Sequence, residues 1–280
     1  MADDRPIGMF DSGFGGLTVA RATIDLLPDE RLVYVGDTGR YPYGPRSLDE
    51  VQEFSFEITR FLIEEHDAKT IVVACNTASA AALTALQDEF DHPIIGVIEA
   101  GVESVVDASS TGRVGVIGTV GTIASGAYQR AVAALSSDVE LTCAACPGFV
   151  EFVERGEFDS DQVRVLSERL LAPVRDGEVD ALLLGCTHYP FLARTISEVM
   201  GRGVVLVSSA DEVAFALRRT LLGTDLAAGA KESAQSLPTG MTNMRHRFLS
   251  SGDVTWFESL GRQLLGPELL RAERCEWKRA

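Results

Sequence analysis

The chain has 280 residues, of which 46% are hydrophobic, and its 41 acidic and 25 basic residues give a formal net charge of −16. This excess of acidic side chains disfavours nucleic acid and anionic membrane surfaces as partners, because both are recognised by basic surfaces. No apolar run reaches the roughly 18 residues that a membrane span needs, and the opening MADDRPIGMF lacks the pattern of a signal peptide. We therefore predict a globular, cytoplasmic protein.

Short apolar segments alternate with amphipathic segments along the chain. The clearest helix begins at Ser47, where Ser47 and Glu50 have the spacing of a capping box and apolar residues then recur at helical intervals. This alternation predicts an α/β fold with parallel sheets that helices cover on both faces. The predicted strands span residues 7–10, 32–36, 70–74, 94–97, 114–118, 141–145, 181–185 and 204–207.

The same order of elements occurs twice. IGMFDSGFGGLTVA opens a first half with a strand, a Gly-rich turn and a helix, and VGVIGTVGTIASGA, from Val114, opens a second half in the same way. The repeat predicts two similar α/β domains that face each other across a cleft. The C-terminal segment, with a predicted helix in SADEVAFALRRTLLG and a predicted loop at 223–242, is too short to stand alone. The predicted domains are therefore 1–98 plus 209–280, and 99–208.

Five cysteines occur in the chain, and the odd number without a predicted export signal favours free thiols. Cys75 ends the apolar run of IVVACNTAS, and Cys186 ends that of LLLGCTHYP, so the two occupy matching places in the two halves. Open parallel sheets bind ligands at the carboxyl ends of their strands. This favours chemistry over simple packing. A helix N-terminus after each cysteine is expected to favour the thiolate.

Other cysteine chemistry is less well supported. Cys143 and Cys146 form a CxxC, but the pair ends a predicted strand, which disfavours a redox motif, and no second pair provides zinc-site spacing. His188 stands two residues after Cys186, so the two side chains can share a proton. The Cys-x-His spacing is too tight for the common zinc templates, and no metal site is predicted.

The turn FDSGFGG imitates a dinucleotide-binding motif. Gly13 and Gly15, followed by Asp37 after the next strand, have part of the required pattern. However, Thr18 occupies the third glycine position, and Asp11 would direct a carboxylate toward the pyrophosphate. A nucleotide site is therefore disfavoured.

Six motifs together resemble one family. MFDSGFGGL, YVGDTGRYPYG, VVACNTAS, VIGTVGTI, GCTHYP and FLSSGD, between residues 7 and 266, are similar to those of glutamate racemases, which interconvert L- and D-glutamate without a cofactor. Aspartate racemases share the two-lobed plan, but the tyrosine loop and the Gly-rich motifs favour glutamate. The resemblance implies an isomerase that supplies D-glutamate for peptidoglycan.

The resemblance also implies catalytic roles. Cys75 and Cys186 would be the two acid/base thiols, with Cys186 removing the proton from L-glutamate and Cys75 removing it from D-glutamate. Asp11 would assist Cys75, and His188 with Glu154 would assist Cys186.

Two further implications concern the surroundings of these thiols. Glu151 stays open as an alternative to Glu154, because the chain departs from the family pattern at Gly148 and Glu151. The residues implied to bind glutamate are Asp11, Ser12, Tyr43, Gly44, Asn76, Thr77, Thr119, Thr122, Thr187 and His188.

The resemblance implies a homodimer and no cofactor, and the sequence shows no evident lysine site for pyridoxal phosphate. Some members of the family interact with DNA gyrase, which the sequence leaves open. Two other functions also stay open at this point. A cysteine hydrolase could use Cys186 with His188, although it leaves Cys75 and the internal repeat unexplained. A two-lobed amino-acid-binding protein would use the cleft without chemistry.

Overall fold

The computed structural model describes residues 3–229 and 245–275. Within these ranges ten strands form two sheets, and every strand pair is parallel. The strands are β1 (Ile7–Asp11), β2 (Leu32–Gly36), β3 (Thr70–Val73), β4 (Ile94–Gly96), β5 (Arg113–Gly118), β6 (Glu140–Ala145), β7 (Ala181–Gly185), β8 (Val205–Val207), β9 (His246–Ser250) and β10 (Ala272–Arg274).

Helices connect the strands and cover the sheets. Ser47 caps one of them with the predicted capping box, because its hydroxyl accepts a hydrogen bond from the Glu50 amide while the Glu50 carboxylate accepts one from the Ser47 amide. In the described part of the chain, 3-10 helices also occur at Tyr189–Leu192 and Gly266–Glu268. The α-helices are α1 (Leu17–Leu26), α2 (Leu48–Glu64), α3 (Asn76–Glu89), α4 (Ile98–Ala108), α5 (Val120–Ala124), α6 (Ala127–Leu135), α7 (Phe149–Glu154), α8 (Asp161–Leu170), α9 (Ala172–Asp176), α10 (Ala193–Met200), α11 (Ala210–Gly223) and α12 (Val254–Leu265).

The two halves of the chain build their sheets in the same order. The larger sheet runs β10-β9-β2-β1-β3-β4, and the smaller sheet runs β6-β5-β7-β8. When the strands of each half are numbered one to four along the chain, both sheets contain the strand order two, one, three, four. All residues of β1, β2, β3 and β7 are buried, as expected for parallel strands with helices on both faces. The predicted α/β fold with two similar parallel sheets is confirmed.

The eight predicted strands are present, with ends that differ by at most one residue. Strands β9 and β10 were not predicted, and they extend the edge of the larger sheet. The reason is visible in their composition. HRFLS is buried only in its last three residues, and the three-residue AER is buried only at Ala272, so neither has the continuous apolar pattern of an inner strand.

The C-terminal elements pack on the first half. Besides β9 and β10, helix α12 contacts α1, and α11 contacts α1 together with α4, which the predicted division places almost wholly in the second domain. The domains 1–98 plus 209–280 and 99–208 stay a prediction. Residues 230–242 of the predicted loop 223–242 lie outside the described residues. No helix in the described ranges is long and apolar enough to cross a membrane.

Candidate active site

The candidate site lies where strands of both sheets end. Asp11 ends β1, and Cys75 follows β3 at the start of α3; Thr119 follows β5, and Cys186 follows β7 directly. Each cysteine therefore follows the third strand of its half. The two halves jointly line one cavity, whose lining residues are Ser12, Tyr41, Pro42, Tyr43, Gly44, Cys75, Asn76, Thr77, Thr119, Val150, Cys186, Thr187 and His188.

This cavity is closed. The space open to the centre of a water molecule is about 20 Å³, enough for roughly one water. The exposed fractions of Cys75 and Cys186 are 5% and 7%. An amino-acid substrate can therefore reach the two thiols only if the cleft opens.

Burial is the main influence on the pKa of Cys75. Its sulfur lies 3.9 Å from the Ser12 hydroxyl oxygen. Burial, reinforced by the negative charge of Asp11, raises the pKa of the Cys75 thiol well above its usual range, and the amides of Ala78 and Ser12 oppose this rise only in part. The Ala78 amide, in the first turn of α3, favours the Cys75 thiolate as predicted, but burial and the Asp11 charge outweigh that effect. In the closed site Cys75 is a proton donor.

Cys186 has a different neighbour, the buried imidazole of His188. The Cys186 sulfur lies 3.9 Å from His188 Nδ1, and His188 Nε2 lies 2.9 Å from a carboxylate oxygen of Glu154. Burial lowers the pKa of His188, but the hydrogen bonds with Cys186 and Glu154 and the charges of Cys186 and Asp11 outweigh it and raise that pKa to about 10. His188 is therefore an imidazolium at neutral pH, placed to share a proton with Cys186.

The structure distinguishes the two candidate glutamates. Glu154, at the end of α7, contacts His188, whereas Glu151 is exposed and lines a neighbouring pocket. The two side chains are three residues apart and lie on the same side of α7, and of the two it is Glu154, at the end of the helix, that reaches His188. The geometry favours Glu154 as the partner of His188.

Asp11 links the two halves beneath the cavity. It is fully buried; one carboxylate oxygen accepts a 2.8 Å hydrogen bond from the Gly13 amide, and the other accepts a 3.3 Å bond from the Thr187 hydroxyl. Burial raises the pKa of Asp11, and the His188 charge and these hydrogen bonds offset only part of that rise. Asp11 thus contacts the second half and adds negative charge beside Cys75.

Hydroxyl and amide groups supply the remaining polar lining. Thr77, Thr119 and Thr122 form a triangle of mutual hydrogen bonds, 2.9 to 3.1 Å long. Thr122 is part of this triangle but is fully buried and is not itself one of the residues that line the cavity. Asn76 also faces the cavity, and its Nδ2 is buried without a hydrogen-bond partner among the described residues. Such a donor is suited to a ligand acceptor.

The side chain of Tyr43, one of the residues predicted to bind the substrate, is engaged in contacts with other residues. Its hydroxyl donates to the buried carboxylate of Asp37, and its ring packs on Phe54. The tyrosine is only 1% exposed and its O–H group is already paired with Asp37, so this group is not available as a donor to a ligand. No lysine or arginine is among the described residues that line the cavity. A carboxylate bound there would therefore be held by neutral donors and by His188.

Sequence reasoning missed some of the residues around His188. Tyr41 stacks on the imidazole with ring centroids 6.1 Å apart, and Phe14 meets it edge-on at 4.9 Å. Trp256, from α12, packs against both aromatic rings. The motifs FDSGFGG and YPYG contain two of these residues, but only the fold shows that they enclose His188.

The other three cysteines are not among the residues that line the cavity. All five cysteines are free thiols. Cys143 packs with one core cluster and Cys146 belongs to another, as expected for residues three apart at the end of a strand, which point to opposite faces. Among the described residues, no group of three or more histidine, cysteine or acidic side chains could hold a metal ion.

Gly15 shows how tightly the two halves meet. A Cβ at this position would lie 2.5 Å from the Thr187 hydroxyl oxygen and 2.6 Å from His188 Nδ1. We expect Gly15→Ala to displace these side chains and to lower kcat/KM about 100-fold, because small misplacements in an active site are costly. Gly203→Ala is the matched control, since its Cβ would meet nothing within 4 Å. Equal activity of the two variants would contradict the observed packing.

The contact between Glu154 and His188 predicts a pH effect. The imidazolium is favoured by the Glu154 carboxylate, so Glu154→Gln should lower the pKa of His188 from about 10. The charged form is then lost at a lower pH, and the alkaline limb of kcat/KM against pH should move down by about one pH unit. Glu151→Gln is the control on the same helix and should keep the original profile. A shift in Glu151→Gln alone would reverse the assignment of the two glutamates.

Comparisons with known proteins show the family to which the chain belongs. A family model described as Asp/Glu/Hydantoin racemase matches residues 17–216. A glutamate racemase from Beutenbergia cavernae is 49% identical over 274 residues, which cover 95% of this chain and 91% of that protein. The chain belongs to the glutamate racemase family. It is accordingly an amino-acid racemase, an isomerase, as the sequence motifs predicted.

Solved structures of the glutamate racemase family have the same fold. A glutamate racemase from Bacillus anthracis matches with a TM-score of 0.87 and 39% identity, covering 97% of both chains. A glutamate racemase from Francisella tularensis, solved in complex with D-glutamate, matches with a TM-score of 0.87 and 32% identity, covering 98% of both chains. These likenesses extend over the whole two-sheet architecture.

Proposed function

We propose that this member of the glutamate racemase family interconverts L- and D-glutamate by moving the Cα proton between two thiols, without a cofactor. One observation carries the proposal: Cys75 and Cys186 line the same closed cavity from different halves of the molecule. Racemisation removes a proton from one face of Cα and delivers another to the opposite face. Two thiols on two facing domains can do this without turning the substrate over.

The two thiols have the complementary surroundings that such a reaction needs. From L-glutamate, the Cys186 sulfur takes the Cα proton as a thiolate, with the His188 imidazolium beside it, and Cys75 delivers its proton to the opposite face. The reverse reaction exchanges these roles. We assign His188 with Glu154 to Cys186, and Asp11 to Cys75, as the groups that assist each transfer. The closed polar cavity would stabilise the carbanion.

The polar lining is suited to an amino acid with two carboxylates. We propose that the amide of Asn76, the threonine hydroxyls and the backbone at Gly44 donate hydrogen bonds to these carboxylates. The complex of the Francisella tularensis relative with D-glutamate supports the choice of substrate. The full set that we propose to bind glutamate is Asp11, Ser12, Tyr43, Gly44, Asn76, Thr77, Thr119, Thr122, Thr187 and His188.

We also propose the cellular role and assembly that the family resemblance implies. D-Glutamate formed by this chain would supply peptidoglycan synthesis in the cytoplasm, and the active protein would be a homodimer. Domain opening and closing would admit substrate and exclude water during proton transfer, because the closed cavity has room for roughly one water.

The direct test uses purified protein, L-glutamate and no pyridoxal phosphate. The optical signal of L-glutamate should decay to zero, because the two enantiomers have equal free energy in water. Glutamate binding with a constant optical signal would favour the binding-protein alternative and contradict the proposal. Ammonia release from amide substrates without racemisation would favour the cysteine hydrolase.

A further inference from the structure

A buried hydrogen bond joins the two halves next to Cys75. Asn76 begins α3 in the first half, whereas Tyr128 lies on α6 in the second half. The Tyr128 hydroxyl donates to Oδ1 of Asn76, and Tyr128 is fully buried while Asn76 is 3% exposed.

The contact determines which end of the Asn76 amide faces the cavity. An asparagine side chain has one acceptor oxygen and an NH₂ group that donates two hydrogen bonds, and rotation by 180° exchanges them. With Oδ1 bound to Tyr128, Nδ2 is directed away from the tyrosine, and it has no hydrogen-bond partner among the described residues. Asn76 lines the cavity, so these unpaired N–H groups are available to a ligand. A rotated amide could still donate to the Tyr128 oxygen, but it would take from the buried Tyr128 O–H its acceptor, and it would present its own oxygen to the cavity and repel a carboxylate.

The second half leaves space for this hydroxyl. Gly185 ends β7 immediately before Cys186, and a Cβ there would lie 2.9 Å from the Tyr128 hydroxyl oxygen. A side chain at position 185 would therefore displace the hydroxyl from Asn76. Gly185, just before Cys186, thus leaves room for the Tyr128 hydroxyl to reach Asn76, the residue that follows Cys75.

We propose that Tyr128 is a positioning residue, whose hydroxyl holds the Asn76 amide with its N–H groups toward a substrate carboxylate. The inference rests on the proposed function, in which Asn76 binds glutamate. Because Asn76 would contact the carboxylate both before and during proton transfer, the effect belongs mainly to KM and less to kcat.

A double-mutant cycle tests this. Tyr128→Phe keeps the ring and removes the hydroxyl, and it should raise KM for L-glutamate roughly tenfold, the effect of one misplaced hydrogen bond to a charged group. In an Asn76→Ala background, Tyr128→Phe should cause no further rise, because the residue through which it acts is gone. Thr195→Val is the matched control: it removes a buried hydroxyl that donates to the Phe158 carbonyl, and KM should be unchanged.

Three results would overturn the inference. The first is an unchanged KM in folded Tyr128→Phe, and the second is the same rise in KM with and without the Asn76 side chain, which would indicate a structural role. The third uses Asn76→Asp, which keeps an acceptor for Tyr128 but replaces the N–H groups with oxygen. Its KM should exceed that of Asn76→Ala, and a wild-type KM would contradict the proposed orientation even if Tyr128→Phe does not fold. Wild-type protein without racemase activity would instead refute the proposed function, and this inference with it.

Discussion

Cys75→Ala and Cys186→Ala are each expected to lower kcat/KM for racemisation by about three orders of magnitude or more, in both directions. Either change leaves one face of Cα without the group that removes or delivers its proton, and acid/base catalysis typically contributes 10²- to 10⁴-fold. Both thiols are small and lie at the cavity wall, so alanine should leave the fold intact. Circular dichroism and the optical assay measure the two properties separately.

Cys143→Ala is the control for these two variants. Cys143 is a free thiol in β6, partly buried against the core and absent from the lining of the cavity. It should keep nearly wild-type activity. Complete loss of activity in folded Cys143→Ala would revive the redox interpretation of the CxxC, and an active Cys75→Ala would refute the two-thiol reaction.

The second large effect concerns His188. His188→Asn should lower kcat/KM by about 10²- to 10³-fold, because the group that exchanges a proton with Cys186 is lost. The equilibrium constant between enantiomers is one by symmetry, so kcat/KM must fall equally in both directions and cannot show which thiol is affected. Deuterium isotope effects can show which thiol is affected. If the Cys186 transfer becomes the dominant barrier, glutamate deuterated at Cα should show a larger effect on kcat/KM for the L enantiomer and a smaller one for the D enantiomer.

Asp11→Asn completes the comparison. Asp11 raises the pKa of Cys75 through its charge, so its loss should affect the Cys75 transfer and give the opposite isotope pattern. The amide keeps the shape of the carboxyl group and an acceptor for the Gly13 amide. Equal isotope effects for both enantiomers in both variants would mean that Asp11 and His188 position the substrate and do not serve one thiol each.

The sequence predicted much of the architecture because inner parallel strands have a strong signature. The apolar runs that end at Cys75 and Cys186 were sufficient to place both thiols at strand carboxyl ends. The internal repeat predicted that these ends belong to two similar sheets, and the topology agrees. Strands β9 and β10 carry no such signature, since their place depends on the pairing of β9 with β2 and of β10 with β9.

The electrostatic surroundings of the thiols could not be predicted in the same way. Capping of α3 by Cys75 suggests a stabilised anion, but burial beside Asp11 has the larger effect and depends on the whole fold. The contact between Tyr128 and Asn76 joins helices from different halves, 52 residues apart in the chain. Nothing in the local sequence around either residue indicates that they meet.

The two-thiol reaction is tested most directly by racemisation in deuterated water, with each enantiomer analysed separately at early times. With two thiols, the base that removes the substrate proton differs from the acid that delivers the solvent-derived proton. We therefore predict deuterium at Cα of nearly every product molecule and hardly any in the remaining substrate, whichever enantiomer is supplied. Substantial early deuterium in both enantiomers would indicate a single base that exchanges its proton with solvent, and would contradict the reaction proposed for Cys75 and Cys186.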